Sequence, residues 1–190
     1  MSKNICIYAS SSNQVSDELK IKCKQLAQKL AKSGYDLIYG AGNIGIMKVI
    51  ADVFLENNRN VIGVIPERLN LEGIVHPNLT KLYITSDMRK RKELMENFAD
   101  AFITCPGGIG TLEEFAEIFT LKQLGYHLKP IILYNVNNFF DYLIKFLYKL
   151  EIEKFMHEKT FELIKISDNP DEIVTFIRNY KKPKLKLKWM

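Results

Sequence analysis

Short apolar runs rich in β-branched residues alternate with helical patterns along this chain of 190 residues. Because the runs stay apolar instead of alternating with polar residues, they predict parallel strands that are buried on both faces. The sequence therefore predicts an α/β fold, a Rossmann-like doubly wound parallel sheet with helices on both faces. The predicted strands cover residues 4–9, 36–39, 61–65, 81–85, 101–105 and 130–134, with a short last strand at 161–166.

Helical patterns fill the segments between these strands. Five aromatic residues in one of these segments lie at helical spacing and are expected in the core: Phe139, Phe140, Tyr142, Phe146 and Tyr148. The predicted helices cover residues 16–33, 44–57, 86–98, a segment that ends near 124, residues 139–150, and a last helix that starts at Pro170.

The basic charge of the chain is concentrated at its end. The formal net charge is +5, but the last ten residues contain five lysines and no acidic residue. Without them the chain has 22 basic and 22 acidic residues, so its body is neutral and has no broad basic face for nucleic acid. We predict one domain over residues 1–180 and a lysine-rich tail over residues 181–190.

The chain shows no sign of secretion, membrane insertion or metal binding. Its start has no apolar core of a signal peptide, and no stretch of about 18 apolar residues could span a bilayer. Three cysteines in apolar or helical surroundings predict reduced thiols. The three histidines lack metal-ligand spacing. We therefore expect a cytoplasmic protein that uses no metal and has no membrane partner.

Ligands of such a sheet bind outside the carboxyl ends of the strands, so residues that directly follow a strand are the first candidates. Ser10 follows the first strand. Gly40, Gly42 and Gly45 form a G-x-G-x-x-G pattern after the second. One interpretation of this pattern is a nucleotide-binding loop with phosphate at the helix N-terminus and Glu67 as a ribose-binding acid. The other is tight turns that let the helix pack closely on a strand.

A second glycine-rich loop, C-P-G-G-I-G-T-L-E-E, follows the fifth strand at residues 105–114. Its glycines let backbone N–H groups converge, a threonine hydroxyl adds a donor, and the dipole of the following helix favours an anion. The loop suits a terminal phosphate, although it lacks the Gly-Lys-Ser/Thr ending of a Walker A loop. The residues expected to bind this phosphate are Gly107, Gly108, Ile109, Gly110 and Thr111.

Charged residues lie on both sides of this loop. Thr111 and Glu114 match a capping box, in which the glutamate satisfies a donor at the helix start, so capping is one interpretation of Glu114. Upstream, four basic residues at 89–92 open a helix. Cations are mildly unfavourable at a helix N-terminus, which indicates that one or two of them have an acidic target.

Together these residues resemble the LONELY GUY (LOG) family of cytokinin riboside 5′-monophosphate phosphoribohydrolases, which was long labelled as possible lysine decarboxylases. The family hallmark P-G-G-x-G-T-x-x-E is matched completely at residues 106–114. An arginine–lysine pair followed by a methionine is matched by Arg91, Lys92 and Met95. The resemblance extends over residues 4–180.

The resemblance implies roles for individual residues. Glu114 and Arg91 would be catalytic: the carboxylate would stabilise positive charge on the ribose, and the arginine would contact the base or orient the nucleotide. Three weaker substrate contacts are implied, in addition to Ser10, Gly40 and Gly42 from the strand ends: Lys92, Glu72 and Thr120. The family usually has three consecutive glycines where this chain has Ala41 in the middle, a difference that bears on substrate preference.

The implied reaction is hydrolysis of the N-glycosidic bond of a nucleoside 5′-monophosphate, either AMP or a cytokinin riboside 5′-monophosphate. The family also implies no cofactor and a homodimer with the Arg91 helix near its interface. A lysine decarboxylase would need a Schiff-base lysine, and the sequence indicates no such site. Two alternatives stay open: a nucleotide-binding carrier or sensor without turnover, and a nucleic-acid-binding domain that uses the basic tail.

Overall fold

The computed structural model describes residues 3–183, so most of the predicted tail, residues 184–190, lies outside the described residues. The strands are β1 (Asn4–Tyr8), β2 (Asp36–Tyr39), β3 (Val61–Pro66), β4 (Lys81–Thr85), β5 (Ala101–Thr104), β6 (Ile131–Tyr134) and β7 (Ile164–Ser167). The helices are α1 (Asp17–Lys32), α2 (Gly45–Glu56), α3 (Met88–Phe98), α4 (Ile109–Gln123), α5 (Asp141–Ile152) and α6 (Pro170–Arg178).

These strands form one parallel sheet in the order β4-β3-β2-β1-β5-β6-β7. The chain moves outward from β1 to β4 and then crosses back to place β5 on the other side of β1, where Tyr8 pairs with Thr104. The strand order therefore reverses between β1 and β5. A crevice opens at such a reversal outside the carboxyl ends of the two strands, which is where ligands bind in this class of sheet.

Helices cover both faces of the sheet, as the apolar strands predicted. On one face α1, α2 and α6 pack on the side chains of Ile5 and Ile7. On the other face α3, α4 and α5 pack on the side chains of Cys6 and Tyr8 from the same strand. The doubly wound α/β prediction is confirmed. In the described part of the chain, no helix combines the length and apolarity needed to cross a membrane.

The aromatic residues near α5 correct one prediction. Only Phe140 is buried, whereas Phe139, Phe146 and Tyr148 are exposed and Tyr142 is 85% exposed. The reason is where the helix begins: left-handed turns at residues 137 and 138 delay it to Asp141, so Phe140 points into the core from outside the helix. The buried face of α5 is formed by aliphatic residues instead.

The last strand also starts later than predicted. Residues 158–163 form a 3-10 helix, and β7 begins at Ile164 instead of residue 161. Phe161 does not point into the sheet as a strand residue. Its ring stacks on the ring of Tyr148, with the centroids 4.1 Å apart.

The start of α2 is closed by the loop that follows β1. Gly45 N–H donates to Asn13 Oδ1 over 3.0 Å, and Met47 N–H donates to the carbonyl oxygen of Ser10 over 3.1 Å. These contacts use two of the donors at this helix N-terminus, so neither is available to a phosphate in this structure. The proposed ribose-binding acid, Glu67, is exposed. At Gly45 the pattern serves a close approach between the loop and the start of the helix.

Gly45 is the residue that makes this approach possible. Its φ is +64°, and a Cβ there would lie 2.6 Å from the carbonyl oxygen of Ser12. We expect Gly45→Ala to lower the free energy of unfolding by about 3 kcal/mol, because a steric clash with backbone adds to the cost of a left-handed alanine.

Gly34 supplies the matched control. Its φ is +88°, but a Cβ there would have nothing within 4 Å. Gly34→Ala should therefore cost only the backbone term of roughly 1–2 kcal/mol. Urea denaturation of both variants measures the difference, and equal costs would contradict a close approach at Gly45.

Candidate active site

A cavity of about 380 Å³ lies in the crevice between the ends of β1 and β5. Its volume is in the range of small-ligand sites. The carboxyl end of β1 and the serines that follow form one wall, and the first turns of α4 form the opposite wall. The lining residues are Ile7, Tyr8, Ala9, Ser10, Ser11, Ser12, Gly40, Met47, Arg91, Gly108, Ile109, Gly110, Thr111 and Glu114.

The N-terminus of α4 faces this cavity without a side-chain cap. Gly108 precedes the helix in an extended conformation, and the first intrahelical bond runs from Leu112 N–H to the Gly108 carbonyl oxygen over 3.1 Å. The N–H groups of Ile109, Gly110 and Thr111 therefore have no partner within the helix. Three free donors at the positive end of a helix dipole make this wall suited to an anion.

The capping-box interpretation of Glu114 is wrong. Helix α4 begins at Ile109, so Thr111 is the third helical residue and cannot be the N-cap. Its side chain lies against Gly107, where a Cβ would come within 2.1 Å of Thr111 Oγ1. Glu114 is consequently in the second turn of the helix, and its carboxylate is engaged elsewhere.

Arg91 is the partner of Glu114. Its Nη1 lies 3.0 Å from Glu114 Oε1, and both side chains are about nine-tenths buried. The Nε–H of Arg91 donates to the carbonyl oxygen of Val64 at the end of β3 over 3.0 Å. The expectation that the basic helix start has an acidic target is confirmed. The result is a charged pair from α3 and α4 that is withdrawn from bulk water but borders the cavity.

Gly40 provides the space for this arginine. A Cβ on Gly40 would lie 2.0 Å from Nη2 of Arg91 and 2.8 Å from Cε of Met47. The far end of the guanidinium therefore rests directly on the backbone at the end of β2. The first glycine of the G-x-G-x-x-G pattern therefore contributes to the site by leaving room for the Arg91 side chain.

Two opposing effects act on the protonation of Glu114. Burial raises its pKa, and the Arg91 charge and hydrogen bond oppose the rise, with the net pKa above that of an ordinary glutamate. Tyr8 also lines the cavity. Burial raises the pKa of its hydroxyl well above the usual value, so Tyr8 contributes a neutral side chain to the lining. The site thus combines one titratable carboxylate with a fixed positive charge.

The structure brings most of the predicted site residues together. Eight of them line the cavity: Ser10, Gly40, Arg91, Gly108, Ile109, Gly110, Thr111 and Glu114.

The remaining five do not line the cavity. Gly107 lies behind Thr111, and Gly42 packs on Met47 and forms an isolated bridge with Val75. Lys92 contacts two glutamates instead. Glu72 is exposed on a loop, and Thr120 is exposed on α4. Substrate contacts by these residues stay predictions.

The lining residues that sequence reasoning missed include Tyr8 and Met47. Both lie in apolar patterns that are typical of core positions, and both do pack on the core. The signal that could have revealed them is position, since Tyr8 ends β1 and Met47 is in the first turn of α2.

Comparison with known proteins agrees with this geometry. The sequence model of a family described as "Possible lysine decarboxylase" matches residues 47–177. The cytokinin riboside 5′-monophosphate phosphoribohydrolase LOG of Oryza sativa subsp. japonica is 35% identical over 178 residues, which cover 94% of this chain and 74% of that protein. The enzyme LOG2 of Arabidopsis thaliana is 34% identical, with 94% of this chain and 84% of that protein covered. The chain belongs to the LOG family.

Solved structures with the same fold include proteins of another kind. The molybdenum cofactor carrier protein of Chlamydomonas reinhardtii superposes with a TM-score of 0.71 at 16% identity, covering 94% of this chain and 97% of that one. The molybdenum cofactor binding protein of Rippkaea orientalis gives 0.71 at 21% identity, covering 94% and 96%. These similarities confirm the fold of the LOG-family chain and do not extend to function.

The decarboxylase description of the family does not fit this site. A pyridoxal phosphate enzyme binds its cofactor through a lysine, and the cavity of the described residues has no lysine in its lining. The most buried lysine of the described chain, Lys122, bonds to the Leu163 carbonyl oxygen and the Tyr180 hydroxyl. Burial lowers the pKa of Lys122 to about 8, but it lies outside the cavity lining.

The contact between Gly40 and Arg91 can be tested by a double-mutant cycle. We expect Gly40→Ala to push the guanidinium away from Glu114 and to lower the free energy of unfolding by about 3 kcal/mol, because a buried ion pair is broken. In an Arg91→Ala background the same substitution should cost less than about 1 kcal/mol, since the clash is gone. Equal costs in the two backgrounds, measured by urea denaturation, would show that Gly40 does not act through Arg91.

Proposed function

We propose that this LOG-family chain hydrolyses the N-glycosidic bond of a nucleoside 5′-monophosphate. The substrate is AMP or a cytokinin riboside 5′-monophosphate, and the products are the free base and ribose 5-phosphate. The observation that carries the proposal is the placement of the buried Arg91–Glu114 pair in the same cavity as the uncapped start of α4.

The start of α4 is the proposed phosphate site. The N–H groups of Ile109, Gly110 and Thr111 have no partner within the helix, and the helix dipole favours an anion at this end. Ser10, on the opposite wall, is within the same lining and offers a hydroxyl. This anchor would hold the 5′-phosphate and leave the ribose to extend toward the second turn of α4.

Glu114 is the proposed stabiliser of the transition state. It lies four residues beyond Gly110, about 6 Å along the helix axis, which suits the span from a 5′-phosphate to the anomeric carbon. Cleavage of an N-ribosidic bond develops positive charge on the sugar, as in glycoside hydrolysis. An ionised carboxylate in a partly dehydrated cavity stabilises that charge strongly.

The bond changes balance with water as the only co-reactant. The C1′–N bond breaks, and its electron pair leaves with the base, which takes up one proton. Water adds to C1′ and releases one proton, which Glu114 would accept. Arg91 opposes the rise in the Glu114 pKa that burial causes, which favours the ionised carboxylate, and it would orient the nucleotide.

Support for this reaction over a carrier function comes from two sources. The relatives that share about a third of the sequence are phosphoribohydrolases by name. In addition, a carrier has no evident use for a carboxylate that is paired with a buried arginine. Incubation with AMP distinguishes the two: an enzyme releases adenine, and a carrier binds AMP, as measured by calorimetry, without releasing base.

Glu114→Gln tests the central role directly. The variant keeps the shape and a hydrogen-bond acceptor for Arg91, so it should stay folded by circular dichroism. Removal of the carboxylate charge is expected to lower kcat for AMP hydrolysis by about 10²–10³-fold. Release of free base, followed by chromatography, is the measurement.

Glu93→Gln is the matched control, because Glu93 is exposed on α3 and pairs with Lys90 of its own helix. It should keep wild-type activity. A Glu114→Gln enzyme that retains more than a tenth of the wild-type rate would rule out the proposed role. The same assay with isopentenyladenosine monophosphate and other nucleotides determines the preferred base.

The pH profile is expected to show the raised pKa of Glu114. Activity needs the ionised carboxylate, so it is lost as the pH falls through that pKa. Because burial raises the pKa, the acid limb of kcat/KM should lie above the value of about 4.3 for an ordinary glutamate. The residual activity of Glu114→Gln should lack this limb. An acid limb at or below pH 4.3 in the wild type would contradict the burial effect.

A further inference from the structure

A second ionic contact joins α3 and α4 directly beside the catalytic pair. The amine of Lys92 contacts Glu113 Oε1, and it lies 3.0 Å from Glu117 Oε2. The side chain of Lys92 is only 13% exposed, although it is a lysine near the surface. Glu113 and Glu117 are four residues apart and therefore adjacent on one face of α4.

The two ionic contacts involve neighbouring residues on both helices. Arg91 precedes Lys92 on α3, and Glu113 precedes Glu114 on α4. Consecutive helical side chains point about 100° apart, so the first contact is directed into the cavity and the second lies on the outer side. Any rotation or axial shift of α3 that separates Lys92 from its glutamates also moves Arg91 relative to Glu114.

The two helices share one face of the sheet but rest mainly on different parts of it. Helix α3 packs on β1, β2, β3 and β4, whereas α4 packs on β1 and on the 3-10 helix at residues 158–163. The catalytic pair therefore connects helices whose main contacts differ. A direct contact between the helices adds to their shared core packing and holds the separation of the pair constant when substrate enters.

The amine of Lys92 is already satisfied in this position. Partial burial acts to lower the pKa of Lys92, but the hydrogen bonds and charges of Glu113 and Glu117 outweigh that effect and raise it. The lysine is thus charged and shared between two carboxylates, and it is not in the lining of the cavity. Two of its three N–H donors are engaged, so a phosphate would compete with both glutamates for the amine.

We propose that Lys92 is a positioning residue, which ties α3 to α4 through Glu113 and Glu117 and so sets the distance between Arg91 and Glu114. This inference rests on the proposed function and replaces the predicted role of Lys92 as a substrate contact. Since the reacting groups must be aligned closely, loss of the tie reduces the rate of the chemical step more than it reduces nucleotide binding.

The kinetic test separates positioning from binding. We expect Lys92→Met, which keeps the length of the side chain without its charge, to lower kcat for base release about tenfold with KM changed less than twofold. Lys92→Arg should restore at least half of the wild-type kcat, because a guanidinium can also bridge two carboxylates. Lys90→Met is the control: Lys90 pairs with Glu93 on its own helix and should have wild-type activity.

The glutamates provide the second arm. The double variant Glu113→Gln/Glu117→Gln should reproduce the loss of Lys92→Met, and the addition of Lys92→Met to it should change kcat little. A substrate contact would behave differently: Lys92→Met would raise KM more than tenfold, and the double variant would leave KM and kcat near wild type. That outcome would overturn the positioning role.

A spectroscopic arm does not depend on turnover. The Nε–H of Arg91, bonded to the Val64 carbonyl oxygen, should give a protected arginine NMR signal, which is assigned by its loss in Arg91→Lys. We expect this signal to broaden or to exchange faster in Lys92→Met and to be unchanged in Lys90→Met. An unchanged signal in Lys92→Met would overturn the positioning role. A wild-type protein that releases no base from any monophosphate would overturn the proposed function and leave this arm to decide the role of Lys92.

Discussion

A guanidinium and a carboxylate can be withdrawn from water only if each satisfies the other, and this requirement organises the structure around Arg91 and Glu114. The arginine reaches its position because Gly40 lacks a side chain, and its Nε–H donates to the Val64 carbonyl oxygen. The carboxylate is in place because α4 begins at Ile109 and exposes its second turn to the crevice. The positions of β2, β3, α3 and α4 at this site therefore all depend on the contact between Arg91 and Glu114.

The glycines of this chain have separate physical tasks. Gly45 permits the loop after β1 to cross the start of α2, and in doing so the loop uses the donors of that helix. Gly107 makes room for the Thr111 side chain. Gly108 is the N-cap of α4 and has no side chain that could bond to the first N–H groups of the helix. Two glycine-rich loops that look equally able to bind phosphate thus differ in the structure, because only one has free N–H groups facing the cavity.

The same fold serves proteins with different tasks, as the similarity to molybdenum cofactor carriers shows. What distinguishes the LOG-family chain lies in the site. The crevice at the strand reversal is a general property of the sheet, and the uncapped start of α4 faces it. The buried ion pair adds a group that can respond to positive charge on a ligand, and the tie through Lys92 gives that pair a fixed geometry.

The sequence by itself determined the parallel sheet, the alternation of its strands and helices and the glycine-rich loop that follows β5, because these depend on local periodicity and on a motif of adjacent residues. It also indicated that the basic run at residues 89–92 has an acidic target. Only the tertiary structure decided which partner each charge takes: Glu114 binds Arg91 and does not cap its helix, and Lys92 binds two glutamates. It likewise decided that the aromatic residues of α5 lie outside. Such outcomes depend on where a helix begins and on what packs against it, and a shift of two residues redirects every side chain by about 200°.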